Sequence, residues 1–142
     1  MKVFGDTHIF VDYYLNRSGG VVPLGEFAFQ FFKSAVECKF FVIICQPVID
    51  EICDAISKTE QVVWEMVLCN LRDAKKIELV EFSKEQVKEA RILSKERDVP
   101  LYDALFAIVA RDNDAVLVSR DAHHSERLSD LVNVFKPEEL NR

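Results

Sequence analysis

The chain has 142 residues, of which 49% are apolar and 30% charged, and its formal net charge at pH 7 is −6. This length and apolar content predict one domain over residues 1–142 with a buried core. The sequence contains no apolar run long enough to cross a bilayer and its first residues do not resemble a signal peptide, so we expect a cytoplasmic protein, and the negative charge argues against a general nucleic-acid coat.

The first part of the chain alternates short apolar runs with amphipathic stretches. Val3 to Asp6 is predicted to form a buried strand, and Thr7 to Asn16 a helix that ends at Ser18-Gly19-Gly20. Pro23 to Lys39 repeats apolar residues every three or four positions and predicts a core-facing helix. Phe40 to Cys45 is rich in bulky and β-branched residues and predicts a second buried strand.

The middle of the chain continues this alternation. Pro47 suits the first turn of a helix because it lacks an N–H, and a further helix is predicted from Glu60 to Ala74. Ile77 to Phe82 alternates as a strand. Ser83 stands three residues before Gln86, which is the capping-box pattern, and the helix it opens should reach about residue 97.

The last third completes the pattern. Pro100 is predicted to start a helix, Ala115 to Ser119 a strand, Ser125 to Leu131 a short helix and Val132 to Phe135 a last strand, which Pro137 stops. Strands separated by helices of this length pair in parallel through right-handed crossovers. The sequence therefore predicts an α/β fold, a three-layer α/β/α sandwich with a central, mainly parallel sheet.

The four cysteines are scattered through apolar segments without a C-x-x-C pair: Cys38, Cys45, Cys53 and Cys69. We therefore predict that they are small buried side chains rather than zinc ligands or a disulfide framework. Reduced thiols of this kind suit the cytosol.

Four acidic residues stand at positions where an acid is locally unexpected. Asp6 ends the first strand, Glu51 lies just beyond the second, Asp103 interrupts an apolar helix and Asp121 follows the fourth strand. The carboxyl ends of parallel strands lie along one edge of a sheet, where open α/β sheets bind ligands. The four carboxylates therefore predict a cage for a hard divalent cation.

Each acid taken alone also has an ordinary structural explanation. Asp6 could cap the next helix, Glu51 could be a solvated carboxylate in a first turn, and Asp121 could be a turn residue. Asp103 is harder to explain in this way, because an ionised carboxylate is costly to bury without a partner, although a first-turn position would leave it near the surface. Asp50 and Glu51 flank the apolar face of their helix at similar angles, so periodicity does not choose between them.

Gathered carboxylates repel one another and raise each other's pKa unless a cation neutralises them. Mg²⁺ or Mn²⁺ fits this set, since both accept oxygen ligands and keep water for chemistry. Thr7 and Ser119 each stand beside an acid and could orient the carboxylates or a bound water.

The order of these motifs resembles a PIN domain, the fold of many metal-dependent ribonucleases, over nearly the whole chain. The resemblance implies a pocket of Asp6, Glu51, Asp103 and Asp121 that binds one or two divalent ions and cleaves RNA phosphodiesters. The matching pieces are Val3-Phe4-Gly5-Asp6-Thr7, Glu51, Pro100-Leu101-Tyr102-Asp103-Ala104-Leu105, Leu117-Val118-Ser119-Arg120-Asp121 and Val134-Phe135-Lys136-Pro137-Glu138-Glu139-Leu140.

The length is similar to that of the toxin ribonucleases of VapBC toxin–antitoxin pairs. Such toxins are held inactive by an antitoxin and often dimerise, so the resemblance implies an antitoxin partner and a homodimer. The chain departs from the family pattern at three places. His8 stands where a small polar residue is common, Gly5 replaces a bulkier strand residue, and Ala122-His123-His124-Ser125 replaces the more usual acid and aromatic, which leaves a fifth acidic ligand open.

In the mechanism that this resemblance implies, Asp6 and Asp103 hold a central Mg²⁺ or Mn²⁺, while Glu51 and Asp121 bind it through water or complete a second site. The ion lowers the pKa of a bound water and a carboxylate takes its proton. RNA must be drawn to this acidic pocket by nearby cations, for which the candidates are Arg17, Arg120, Lys33, Arg111 and Arg127.

His123 and His124 could touch substrate or metal, but consecutive residues of a short helix point apart, so they are not expected to share an ion. Three other functions remain open. They are a non-catalytic interaction module with an acidic pocket, an RNA-processing nuclease outside any toxin–antitoxin system, and a phospho-acceptor domain. The last needs an acid pair at the first strand and a lysine at the last, and neither Phe4-Gly5 nor Val134-Phe135 supplies it.

Overall fold

The computed structural model describes residues 1–15 and 24–140. Its centre is a sheet of five parallel strands in the order β3-β2-β1-β4-β5. Val3 of the central strand lies opposite Val42 on one side and Val116 on the other. The strands are β1 Lys2–Gly5, β2 Phe41–Ile44, β3 Ile77–Leu79, β4 Ala115–Val118 and β5 Val134–Phe135. The predicted parallel sheet is confirmed.

Helices follow the strands and give the three-layer α/β/α arrangement that the sequence predicts. They are α1 Thr7–Leu15, α2 Leu24–Val36, α3 Gln46–Ala55, α4 Lys58–Asp73, α5 Lys84–Arg97, α6 Leu101–Asp112 and α7 Pro137–Leu140, with a π-helical turn at His123–Arg127. Across residues 1–15 and 24–140, no helix combines the length and apolar character that a bilayer crossing requires. The predicted helix end at Ser18-Gly19-Gly20 and the start at Pro23 lie outside the described residues.

The start of α5 confirms the predicted capping box. The Gln86 N–H donates to Ser83 Oγ at 3.1 Å, and the Ser83 N–H donates to Gln86 Oε1 at 2.8 Å. A second capping box, which the sequence reading overlooked, joins Ser57 and Glu60 and starts α4 two residues earlier than predicted. Each box satisfies N–H groups that a helix leaves unpaired at its first turn.

Two predicted boundaries near the C-terminus are wrong. The helix predicted from Ser125 to Leu131 is instead the π-helical turn at His123–Arg127, because the side chain of His124 is fully buried and draws this segment onto the sheet edge. Pro137 does not stop the chain but begins α7. A proline loses no hydrogen bond in the first turn of a helix, so it marks a start as readily as an end.

The prediction that the cysteines are buried is wrong for two of the four. Cys45 is buried and Cys53 is half-buried, but Cys38 and Cys69 are exposed, and all four thiols are free. Cys38 follows α2 in a left-handed conformation with φ 62°, which places it in a surface turn. Cys69 lies on the outward face of α4, so an apolar neighbourhood in sequence did not bury it.

Helix α6 is the most deeply buried helix of the described chain, which explains its nearly uniform apolar sequence. Every residue from Ala104 to Ala110 is buried, and the helix packs against α5 on one side and β4 on the other. The rings of Phe4 and Phe106 lie 5.3 Å apart between centroids and join the helix to the central strand. This packing fixes the first turn of α6, which carries Asp103, beside the ends of the central strands.

Gly5 at the end of β1 permits a close approach that a larger residue would block. A Cβ at this position would lie 3.0 Å from Cε2 of the Phe10 ring. The absence of a side chain therefore lets Phe10 of α1 pack directly on the strand that leads into Asp6. This is a structural reason for the departure from the bulkier residue noted in the sequence.

Candidate catalytic and metal site

The carboxyl edge of the sheet carries the four acids that the sequence singles out. Asp6 directly follows β1, and its N–H donates to the carbonyl oxygen of Val118 at the end of β4 at 3.1 Å. Asp121 stands three residues beyond β4, Glu51 lies in α3 after β2, and Asp103 lies in the first turn of α6. Parallel strands bring these ends together because they all run in the same direction.

Asp6 is a buried acid, and the residue is only 3% exposed. Ser119 Oγ lies 3.3 Å from its Oδ2 atom. Burial raises the pKa of Asp6 to about 6, and the charge of Glu51 adds to the rise, whereas the charge of His8 and hydrogen bonds from Thr7 and Ser119 oppose it. The ionised form is therefore held at an energetic cost that a cation would relieve.

Glu51, rather than Asp50, faces this site. The Thr7 hydroxyl donates to Glu51 Oε1 at 2.7 Å, which links α1 to α3 beside Asp6. Asp50 is exposed and accepts a hydrogen bond from Gln46 Nε2 at 3.0 Å within its own helix. These contacts favour Glu51 over Asp50 as the pocket acid, and its role stays a prediction.

Asp103, Asp121 and His123 form the tightest group of ligand atoms at this edge. His123 Nδ1 lies 3.1 Å from Asp103 Oδ2 and 3.3 Å from Asp121 Oδ1. One donor atom from each residue lies within 4.8 Å of the other two. The backbone N–H of His123 also donates to Asp121 Oδ1 at 2.8 Å, which fixes that carboxylate against the π-helical turn.

The charges of the acids act on one another across the edge. Burial raises the pKa of Asp103, with the carboxylates of Asp121 and Asp6 adding to the rise and His124 and His123 opposing it. Glu51 acts in the same direction on Asp6. The four acids therefore form one electrostatically linked set rather than four separate surface charges.

His124 connects β4 to the start of α6 from inside the protein. Its Nδ1 lies 2.8 Å from Ser119 Oγ, and its Nε2 lies 3.2 Å from the backbone oxygen of Asp103. A carbonyl oxygen only accepts, so the network assigns the hydrogen to Nε2 and makes Nδ1 an acceptor. Burial lowers the pKa of His124, even though Asp103 and Asp121 oppose the shift, and this favours the neutral ring.

This arrangement decides where the single Ser119 hydroxyl hydrogen goes. His124 Nδ1 at 2.8 Å is a closer acceptor than Asp6 Oδ2 at 3.3 Å. Ser119 Oγ also accepts from the Asp121 N–H at 3.0 Å. Since one hydroxyl hydrogen cannot serve both acceptors fully, the buried Asp6 carboxylate receives only a weak share.

Sequence reasoning missed that both adjacent histidines contact Asp103. His123 Nδ1 lies 3.1 Å from the Asp103 carboxylate and His124 Nε2 lies 3.2 Å from the Asp103 backbone oxygen, so both rings approach the same residue. The sequence did not indicate that Asp103 would contact both histidines. The available signal was the replacement of the family's usual acid and aromatic by these two histidines.

Arg120, a candidate to bind substrate, is engaged in a half-buried ion pair. Its guanidinium donates to both carboxylate oxygens of Glu138 at 2.9 and 2.5 Å. The Arg120 side chain is 18% exposed, and its guanidinium carbon lies 5.4 Å from the centre of the Phe27 ring. Its charge is thus compensated within the protein, and its role toward substrate stays a prediction.

The other candidate cations have protein partners as well or fall outside the described chain. Arg17 lies outside the described residues. Lys33 approaches Glu37 at 3.9 Å, and Arg111 is bonded to Glu89 and Asp112. Arg127 donates to the backbone oxygens of residues 97 and 98, which ties the π-helical turn to the end of α5.

Comparison with known proteins gives a family and a set of similar folds. A family model described as PIN domain matches residues 3–127. No curated protein sequence matches the chain.

Several solved structures share the fold, including the following three. A toxin–antitoxin complex from Klebsiella pneumoniae has a TM-score of 0.65 and 18% identity over 95% of this chain and 97% of that chain. VapBC2 from Rickettsia felis, bound to a DNA fragment from their promoter, has a TM-score of 0.68 and 15% identity over 96% of this chain and 98% of that chain. A protein from Pyrobaculum aerophilum has a TM-score of 0.62 and 16% identity over 99% of this chain and 93% of that chain. At such low identity the likeness establishes the fold alone.

Proposed function

The chain belongs to the PIN domain family, and on that premise we propose that it is a divalent-metal-dependent endoribonuclease that cleaves RNA phosphodiesters. The catalytic pocket consists of Asp6, Glu51, Asp103 and Asp121. The observation that carries the proposal is the gathering of these acids at one sheet edge, where the pKa of the buried Asp6 is raised to about 6. A nuclease of this kind needs such a set of carboxylates to hold its ion.

The residues present fit a divalent ion. Two carboxylates and an imidazole offer donor atoms within 4.8 Å of one another, and the buried Asp6 carboxylate is under-compensated. Asp6, Glu51, Asp103 and Asp121 would hold Mg²⁺ or Mn²⁺. When bound, the ion lowers the pKa of a coordinated water and offsets negative charge on the phosphate oxygens.

The remaining residues of the pocket position these acids. Thr7 orients Glu51 through its hydroxyl, and Ser119 lies between Asp6 and His124. His124 fixes the backbone at Asp103, so the first turn of α6 and the end of β4 keep a constant separation. One of the carboxylates would accept the proton of the attacking water and so act as a general base.

Substrate binding at an acidic pocket needs cations at its rim, and we keep Arg17 and Arg120 in this role. Because Glu138 already compensates Arg120, an RNA phosphate would compete with that carboxylate for the guanidinium. Arginine suits this exchange, since its planar fork matches carboxylate and phosphate alike.

We further propose that the protein is the toxin of a toxin–antitoxin pair, with an antitoxin protein as partner and a homodimer as its own assembly. Two of the similar folds come from such complexes. An apolar groove of about 280 Å³ between α2 and α4 offers a docking surface, and the buried Trp64 Nε1 beside it has no hydrogen-bond acceptor in the described structure. The groove is lined by Phe29, Phe32, Val36, Trp64, Val67 and Leu71, with Lys33 and Glu37 at its margin.

The nuclease proposal is tested by incubating purified protein with structured RNAs in Mn²⁺, in Mg²⁺ and in EDTA. We expect cleavage only with added ion, and a loss of roughly a hundredfold or more in Asp6→Asn and Asp103→Asn. Asp50→Asn is the matched control, because Asp50 is an exposed neighbour of a pocket acid, and it should cleave at the wild-type rate. Cleavage that persists in EDTA, or an Asp103→Asn protein as active as wild type, would contradict the proposal.

An RNA-processing nuclease outside a toxin–antitoxin system would share this pocket, so the partner must be tested separately. A short overlapping open reading frame for a small DNA-binding protein would supply the antitoxin. Its co-expression should yield a complex without ribonuclease activity, whereas an active complex would favour the processing enzyme. Light scattering of the purified chain measures whether it is a dimer.

A further inference from the structure

Resting on the proposed nuclease function, we propose that His123 Nδ1 is itself a metal ligand beside Asp103 and Asp121, and that this nitrogen makes the site prefer Mn²⁺ over Mg²⁺. The sequence offers an imidazole where the family more usually has an acid. The structure aims that imidazole at the two carboxylates rather than away from them.

The geometry of the three donors is compact. Nδ1 lies 3.1 Å from an oxygen of Asp103 and 3.3 Å from an oxygen of Asp121. The His123 side chain is 41% exposed, whereas those of Asp103 and Asp121 are 16% and 26% exposed. The group thus opens toward solvent on the histidine side, which leaves an entry path for an ion.

His123 is held in this orientation by the backbone on both sides of it. Its own N–H donates to Asp121 Oδ1 at 2.8 Å. The next residue, His124, is fully buried and bonded to Ser119 and to the backbone of Asp103. These contacts hold the turn in which the His123 ring faces the two carboxylates, so the donor is placed before any ion arrives.

The donor set then decides which ions bind well. Mg²⁺ requires oxygen ligands and gives up its water reluctantly. Imidazole is a better ligand for transition ions, whose affinity for a given site rises from Mn²⁺ toward Cu²⁺. A histidine also carries one negative charge fewer than the acid it replaces, which weakens the attraction for an ion that relies on charge alone.

The competing explanation is that His123 only donates a hydrogen bond to the two acids and never binds an ion. That role predicts the same metal-free contacts, so metal-free geometry does not separate the two. A direct nitrogen–metal bond does, because a ¹⁴N nucleus bound to Mn²⁺ produces a hyperfine coupling in the pulsed electron paramagnetic resonance spectrum.

The experiment is pulsed electron paramagnetic resonance of the Mn²⁺-loaded full chain, together with calorimetric titrations with Mn²⁺ and Mg²⁺. We compare wild type, His123→Asp, His123→Asn and His8→Asn. His8 is the matched control, since it is a second exposed histidine whose charge reaches Asp6. Circular dichroism establishes that each variant is folded before it is loaded.

We expect a nitrogen coupling in wild type and in His8→Asn, and none in the two His123 variants. The ratio of the Mg²⁺ to the Mn²⁺ dissociation constant should fall by about tenfold in His123→Asp, because an oxygen donor is restored. Wild-type protein that binds Mn²⁺ without a nitrogen coupling would overturn the inference and leave the nuclease proposal intact. Wild-type protein that binds neither ion would remove the nuclease proposal itself.

Discussion

The two halves of the acidic pocket compensate their carboxylates by different means. In the Asp6 half, formed by Asp6 and Glu51, the contacts come from hydroxyl groups of Ser119 and Thr7. In the Asp103 half, formed by Asp103 and Asp121, they come from the imidazole nitrogen of His123 at 3.1 and 3.3 Å and from its backbone N–H at 2.8 Å. A hydroxyl orients a carboxylate without neutralising it, whereas an imidazole can carry a charge or bind an ion.

The contrast teaches that one pocket can combine two requirements. The Asp6 half stores an unfavourable buried charge that an arriving cation relieves, and the Asp103 half provides a partly exposed place for that cation to bind. The variants below are expected to separate these two contributions.

The largest expected effect is a dissociation of activity from stability in the Asp6 half. Asp6→Asn should abolish RNA cleavage yet raise the melting temperature of the metal-free protein at pH 7.5, because it removes a buried ionised carboxylate. Asp103→Asn should lose activity with a smaller gain in melting temperature, since that side chain is less buried. Differential scanning calorimetry in EDTA measures both, and a lower melting temperature for Asp6→Asn would contradict the account.

The second effect is the pH dependence of metal-free stability. The folded-state pKa of Asp6 is raised from 3.8 to about 6, so its contribution to stability is present at acid pH and is lost as the pH rises through 6. Asp103 is shifted in the same direction. The urea midpoint in EDTA should therefore fall as the pH rises from 3.8 to about 6, and Mn²⁺ should restore it at the upper end of this interval.

Asp6→Asn provides the control for this titration. It should flatten the fall over the same pH interval, because the group that titrates there is gone. A midpoint that rises with pH in wild-type protein, or a slope unchanged in the variant, would show that other groups dominate.

The two adjacent histidines supply the next test, with opposite expected outcomes. His124→Phe leaves the Ser119 hydroxyl and the Asp103 backbone oxygen without their buried partner, which should cost about 1–3 kcal/mol of unfolding free energy. His123→Ala alters a half-exposed ring, and its unfolding free energy should stay close to that of wild type. Urea unfolding in EDTA compares them, and equal losses would argue against the buried role of His124.

The smallest expected effect concerns Arg120. Glu138→Gln weakens the ion pair that occupies the guanidinium, so KM for RNA should fall at low salt, whereas Arg120→Gln should raise it. Both effects should shrink as the salt concentration rises. If the two variants change KM in the same direction, Arg120 has a structural role in joining β4 to α7 and does not bind substrate.

Much of the fold could be predicted because its information is local. Runs such as Phe40 to Cys45 are apolar on both faces, as buried parallel strands must be, and the intervening helices force parallel pairing. The placement of Asp6 and Asp121 at one edge followed from that topology, since strand ends in a parallel sheet share an edge. Asp103 reaches the same edge from the first turn of α6.

The parts that escaped prediction depend on contacts between residues far apart in sequence. The family resemblance selected Glu51 over Asp50, but helical periodicity did not, because the position of Glu51 depends on a contact with the Thr7 hydroxyl 44 residues away. The π-helical turn likewise depends on the burial of His124 against Ser119. From its sequence alone, this short polar segment predicts an ordinary surface helix, because nothing in it indicates that the His124 ring is buried.

Calorimetric titration with Mn²⁺ tests most directly whether far-apart acids meet around one doubly charged ion. The account predicts saturable binding by wild type and by Asp50→Asn, with binding lost or greatly weakened in both Asp6→Asn and Asp103→Asn. Wild-type heats indistinguishable from those of the two pocket variants would contradict it.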